Sequence, residues 1–243
     1  MFSSLFKHDN KINRLPRAVL FDYDGVLVAS EIIHFAAWKQ LLGELNLPYD
    51  TQLIQSKAGK TAPTILTEFL NLYRPGWDPK EYDVVKLAQT KGNYYLPIAQ
   101  TSLQAYPGVY EGLEWLRSKN ILMAVVSNAR RRELTETLHQ LKLFAYFNEV
   151  FSREDVANPK PDPGAYLTAA ASLGVKPKEC IVVEDSPTGL EAALLGKIPA
   201  AAVTTNFSRT DLEQPIPGRP DLKPSWIGES IEEFFQLLKT LES

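Results

Sequence analysis

Two aspartates one residue apart, Asp22 and Asp24, directly follow the apolar run Ala18-Val19-Leu20-Phe21 and directly precede Gly25. An apolar run leading into a pair of carboxylates reads as a buried strand whose C-terminal end delivers both groups into a crevice. In open parallel α/β sheets, ligands bind in that crevice. Carboxylates so placed repel each other unless a cation or a shared proton relieves them. Mg²⁺, which takes oxygen ligands, suits the purpose. The same residues also fit an Asx-type turn in which both aspartates accept from backbone amides, so the rest of the chain has to separate the two readings.

Other polar groups recur at the same kind of place. The run Ile121–Val126 ends in Ser127-Asn128, the run Ile181-Val182-Val183 ends in Glu184-Asp185, and Lys160 stands in a loop before a helix. Each has a structural role open to it: Ser127 can cap a helix, Lys160 can be solvated, and Glu184 and Asp185 can cap the helix that Pro187 begins. Parallel strands bring their C-terminal ends to one edge, and there the set makes joint sense for phosphoryl transfer. One carboxylate can attack phosphorus, and a second can protonate the leaving oxygen and later activate water. Ser127, nearby backbone N–H groups and Lys160 can hold the phosphoryl oxygens, while Asp22, Asp185 and Glu184 can supply oxygen ligands to Mg²⁺.

The elements that position these groups follow from the apolar pattern. Ser30 is placed to cap a helix to about Leu45, carrying Ile33, Ala37 and Leu41 at helical spacing, with His34 one turn in. From about Pro48 to Tyr106 the pattern is helical throughout: a stripe at Ile65, Leu66, Phe69 and Leu70, then a helix predicted over 79–96. Beyond Pro107-Gly108, strands at 121–126, 147–151, 181–183 and 199–203 alternate with helices, ending in a helix over 231–241. The expected fold is α/β: a doubly wound, mostly parallel sheet with an inserted α-helical cap. The expected division is a tail over 1–16, a core from 17–30 and 105–243, and a cap over 31–104. The proline-rich stretch 204–226 reads as a surface connection.

Composition narrows the functions. The 243 residues carry a formal net charge of -3, which offers no broad basic field for nucleic acid. No apolar run reaches the roughly 18 residues of a membrane helix, and residues 1–16 lack a signal-peptide core, so the expected setting is cytoplasmic. The one cysteine, Cys180, excludes an internal disulfide and, at the head of an apolar run, reads as a small buried hydrophobe. With three histidines beside it, a structural zinc site is not expected.

Asp22-Tyr23-Asp24-Gly25-Val26, Ser127, Lys160-Pro161 and Glu184-Asp185 together resemble the four motifs of the haloacid dehalogenase-like hydrolases, in order and over almost the whole chain. The helical block resembles the cap of the branch that holds phosphoglycolate phosphatases, sugar-phosphate phosphatases and beta-phosphoglucomutase. The resemblance implies Asp22 as nucleophile and Asp24 as acid/base, with its backbone carbonyl offered to Mg²⁺. It implies phosphoryl binding by Ser127, Asn128 and Lys160, and metal ligation by Asp22, Asp24, Glu184 and Asp185. The implied partner is a small phosphorylated metabolite, and the implied assembly a monomer or weak dimer. Asp24 argues against dehalogenation, since such dehalogenases lack it. A Schiff base on Lys57 or Lys60, as in phosphonate-cleaving relatives, has no other support.

His34 falls where the mutase has a histidine that couples cap closure to proton transfer. The run Gly59-Lys60-Thr61-Ala62-Pro63 lacks the mutase's cap arginine for a distal phosphate, which favours water as the acceptor, although Lys60 can still bind a substrate anion. Ala29 stands where members often carry aspartate. Besides phosphatase and mutase, a non-catalytic phosphometabolite binder stays open. Specificity is expected from cap residues such as His34, Lys60, Asn93 and Tyr94.

Overall fold

The computed structural model describes residues 12–242. The segment expected as a tail therefore lies largely outside the described residues, and Ile12, at its end, is buried in the core.

Strand β1 (Ala18–Phe21) is buried along its whole length, as expected of a strand covered on both faces. The chain then enters a helical block: α1 (Glu31–Glu44), α2 (Thr51–Gln55), α3 (Ala62–Tyr73) and α4 (Val84–Ser102). It returns through α5 (Val109–Ser118), β2 (Leu122–Val126), α6 (Arg131–Gln140), β3 (Glu149–Phe151), α7 (Gly164–Ser172), β4 (Cys180–Glu184), α8 (Pro187–Leu195) and β5 (Ala200–Val203). A short α9 (Arg209–Leu212), β6 (Trp226–Gly228) and α10 (Ile231–Thr240) complete it.

The six strands form one sheet in the order β3-β2-β1-β4-β5-β6, and every pairing is parallel. Alternate side chains enter opposite layers. Val19, Phe21, Met123, Val125, Ile181 and Val183 join Leu113, Leu116, Phe234, Phe235 and Leu238 on one face. Ala18, Leu20, Ala124, Val126 and Val182 meet Tyr166, Ala169, Leu190 and Ala193 on the other. Phe21 is level with Val125 and Val183, so the residues following β1, β2 and β4 leave the sheet at one edge.

The helical block has its own core of Trp38, Leu41, Leu42, Ile54, Ile65, Leu66, Phe69, Leu70 and Ala88. It leaves and rejoins the sheet through two adjacent segments. Val28 and Ala105 form an antiparallel bridge, flanked by Ala29 N–H to Gln104 O at 2.9 Å and Tyr106 N–H to Leu27 O at 3.0 Å.

Three expectations are corrected. The helix predicted from Pro79 starts at Val84, because Asp83 accepts from the Val85 and Lys86 amides and caps it there. Ser30 makes no capping bond to α1; its hydroxyl is used in the site. The stretch 204–226 is more than a surface connection, since it holds α9, leads into β6 and contributes two residues to the site.

Candidate active site

Asp22 emerges from β1, the strand between β2 and β4, and meets the ammonium of Lys160. Nζ of Lys160 lies 2.6 Å from Asp22 Oδ1, 2.7 Å from Glu184 Oε1 and 2.9 Å from the Tyr166 hydroxyl, and its side chain is 3% exposed. The solvated role is thus excluded for Lys160. Burial opposes its charge, but Asp22 and Glu184 outweigh burial and raise its pKa. Tyr166 in turn donates to Glu184 Oε1 at 2.7 Å. Glu184 Oε2 accepts from the Ser186 hydroxyl at 3.0 Å and from the Asp185 and Ser186 amides at 3.2 and 3.3 Å. Ser186, rather than Glu184 or Asp185, caps α8 by accepting from Gly189 N–H. A Cβ at Gly189 would overlap the Glu184 carboxylate, so the acid fits under the helix only against glycine.

Asp22, Glu184 and Asp185 each offer a carboxylate oxygen within 4.8 Å of the others. Burial, then the Glu184 charge, push the Asp22 carboxyl up to about 8, with Lys160 pulling it partly back. Burial and the neighbouring Asp22 and Glu184 likewise raise Asp185 well above the usual carboxylate range. Clustered acids with one ammonium among them leave excess negative charge, which is what a divalent cation with oxygen ligands relieves. The donor set therefore fits such an ion.

The Asp24 carboxylate is bound elsewhere. Its Oδ1 accepts from the Ser30 hydroxyl at 2.5 Å and lies 3.1 Å from His34 Nε2. Neither Asp22 nor Asp24 spends its side chain on a backbone amide, which removes the turn reading. Burial favours the neutral form of Asp24, but the neighbouring His34 ring, hydrogen bonds from His34 and Ser30, and Lys91 together lower its pKa. His34 Nδ1 is 2.6 Å from the buried Lys91 Nζ. Its ring stacks on Tyr95 at 4.5 Å between centroids. Lys91 sits between Trp38 and Tyr95, 5.6 and 5.0 Å from their centroids. An ammonium has no lone pair, so a charged Lys91 makes Nδ1 the acceptor and leaves the Nε2 proton for Asp24.

The other expected residues divide. Ser127 reaches the edge, where Oγ accepts from Ala129 N–H at 3.0 Å instead of capping α6. Asn128 spends its amide on protein: Nδ2 donates to Gly59 O at 2.8 Å and Lys160 O at 3.0 Å, and Oδ1 accepts from Lys160 N–H at 3.1 Å. These bonds seat the lysine loop and tie it to the cap, and Asn128 lines the cavity. Lys60 lines the cavity but is paired with Glu68 at 2.6 Å, as is Lys57 at 2.8 Å. Asn93 is exposed and Tyr94 donates to Glu44, so neither faces the cavity. The residues of α4 that do are Val85, Ala88, Gln89 and Lys91, of which only Lys91 carries a charge. Tyr166, Lys91 and Asn206 are the functional neighbours that spacing alone did not reveal. Tyr166 reads as part of an apolar helix stripe, and Asn206 as part of a polar loop.

The cavity above these groups measures about 340 Å³. Its floor includes Asp22, Ser127, Lys160 and Asp185, and Phe35, Trp38 and Ile65 stand on the cap side.

A family model described as haloacid dehalogenase-like hydrolase matches residues 19–203. The chain belongs to this family of capped α/β hydrolases. It is 34% identical over 179 residues to a phosphorylated carbohydrates phosphatase of Thermotoga maritima, covering 72% of this chain and 79% of that one. It is 29% identical over 180 residues to the beta-phosphoglucomutase of Bacillus subtilis, covering 72% and 78%. Among solved structures, a hydrolase from Pseudomonas syringae superposes with a TM-score of 0.80 at 24% identity, covering 92% and 98%, a likeness of fold.

Proposed function

We propose that the chain is a Mg²⁺-dependent phosphatase of small phosphorylated carbohydrates that works through a phospho-Asp22 intermediate. The observation that carries this reading is the division of the two aspartates. Asp22 lies with Lys160 in the acidic cluster, and Asp24 is turned to Ser30 and His34. The 34% identity to a carbohydrate-phosphate phosphatase supports the substrate class.

Mg²⁺ held by Asp22, Asp185, Glu184 and the Asp24 carbonyl would supply the positive charge that keeps the nucleophile ionised and offsets charge on the phosphoryl oxygens. In the first step an Asp22 oxygen bonds to phosphorus as the bond to the sugar oxygen breaks. Asp24, held ionised by its neighbours in the resting site, takes up a proton as the substrate's negative charge enters beside it and delivers that proton to the leaving oxygen. Ser127 and Lys160 hold the equatorial oxygens. In the second step Asp24 takes a proton from water, which attacks phosphorus and releases phosphate, regenerating Asp22.

Phosphate release from a panel of sugar phosphates tests the reading. Wild type with Mg²⁺ is expected to turn over at least one of them, and Asp22→Asn to lose that turnover. Persistent turnover by Asp22→Asn overturns the mechanism.

The His34–Asp24 contact also suits a phosphosugar mutase, in which a sugar hydroxyl replaces water. Pairing of Lys60 with Glu68 weighs against it, because a distal phosphate would have to compete for that cation. Glucose 1-phosphate with a bisphosphate primer separates the two: isomer formation means mutase, and inorganic phosphate alone means phosphatase.

A further inference from the structure

The loop after β5 is tied to both acidic motifs. The Thr205 hydroxyl donates to Gly25 O at 2.5 Å, and Asn206 Nδ2 donates to Asp185 Oδ2 at 2.6 Å. Gly25, at φ +77°, lies against both partners, and a Cβ there would overlap Asp185 Oδ2 and Asn206 Nδ2. From the cap, Gln55 Nε2 donates to Asn206 O at 3.2 Å. One atom of this arrangement is left over: Asn206 Oδ1 is buried and has no hydrogen-bond partner. Leaving a buried acceptor unpaired is costly because its lost hydration is not replaced, so such an atom beside a cation site calls for a donor. Turning the amide over would only set its oxygen against the Asp185 carboxylate.

We infer that Asn206 is a positioning residue of the divalent-cation site. Its Nδ2 fixes the Asp185 carboxylate, and its Oδ1 accepts a hydrogen bond from a water on the ion. Mg²⁺ keeps several waters when protein-bound, and those waters are strong donors. Partners of ligating carboxylates set the orientation on which affinity depends. The inference rests on reading Asp22, Glu184 and Asp185 as a cation site, and it needs no particular substrate.

Calorimetric titration of MgCl₂ into chelator-treated wild type, Asn206→Ala and Asn206→Ser tests it, with thermal melts in chelator reporting whether each variant folds. Asn206→Ala is expected to weaken Mg²⁺ binding by about 10–100-fold, with a chelator-state melt close to wild type. Affinity for inorganic phosphate at saturating MgCl₂ should be unchanged. Should Asn206→Ala fail to fold, Asn206→Ser carries the same comparison. Unchanged Mg²⁺ affinity in the folded variant overturns the inference, as does weakened phosphate binding with intact Mg²⁺ binding, which would assign Oδ1 to substrate. Wild type that binds Mg²⁺ but hydrolyses no phosphomonoester overturns the proposed function and leaves this inference standing.

Discussion

At the scale of single residues, the Asp22 carboxyl is pulled in opposite directions. Burial and Glu184 raise it from 3.8 to about 8, against a smaller pull from Lys160, and Asp185 moves the same way. A folded-state value above the unfolded one means that the folded protein binds the proton more tightly. The associated stability is complete below the ordinary value of 3.8 and is lost as pH rises through about 8. In chelator, the thermal midpoint should therefore fall as pH rises across that window, and added Mg²⁺ should remove the fall. A midpoint in chelator that stays level across the window would contradict this account. Asp22, Lys160, Glu184 and Asp185 are legible in the sequence because each follows an apolar run or a punctuating proline. Lys91, Tyr166 and Asn206 are not, because their partners are reached through tertiary contact: Lys91 meets His34 across 57 positions and Asn206 meets Asp185 across 21.

At the scale of elements, the cap depends on its own small core. Leu66 is fully buried there with Trp38, Leu42 and Phe69. Leu66→Ala removes buried methyl groups and leaves a cavity, at a cost of about 2–5 kcal/mol, which denaturant unfolding should report. An unchanged midpoint would mean that the cap contributes little to the measured stability. The same helices expose the limits of local pattern. A stripe such as Ile65, Leu66, Phe69 and Leu70 identifies α3, whereas the start of α4 depends on which of several polar residues caps it, and Asp83 does. Strand β6 escaped because three residues, Trp226 to Gly228, carry too little alternation to register. Its strand character comes from pairing with β5.

For the molecule as a whole, cap and core meet directly above the acids through Asn128 to Gly59 O at 2.8 Å and Gln55 to Asn206 O at 3.2 Å. Each such bond contributes about 1 kcal/mol, enough to bias a closed arrangement without locking it. Asn128→Ala should shift that balance towards opening, read as a larger radius of gyration in solution scattering and faster proteolysis of the segments at residues 28–30 and 104–106. Identical scattering and proteolysis would show that Asn128 serves only the Lys160 loop. The mostly parallel sheet and the helical insertion were legible because the apolar runs are short and separated by helical stretches, whereas the strand order was not. The cap's seating was not, since neither Asn128 nor Gly59 carries a local signal of its partner.

The bridge between Val28 and Ala105 holds the two ends of the helical insertion side by side. The outgoing and returning strands of the cap are neighbours, so everything between them hangs from the sheet like a cassette on two adjacent pins. Replacing that cassette requires no rethreading of the six strands and leaves Asp22, Lys160 and Asp185 where they stand. The ceiling can thus be exchanged without moving that floor, although His34 and Lys91, which hold Asp24, travel with the ceiling.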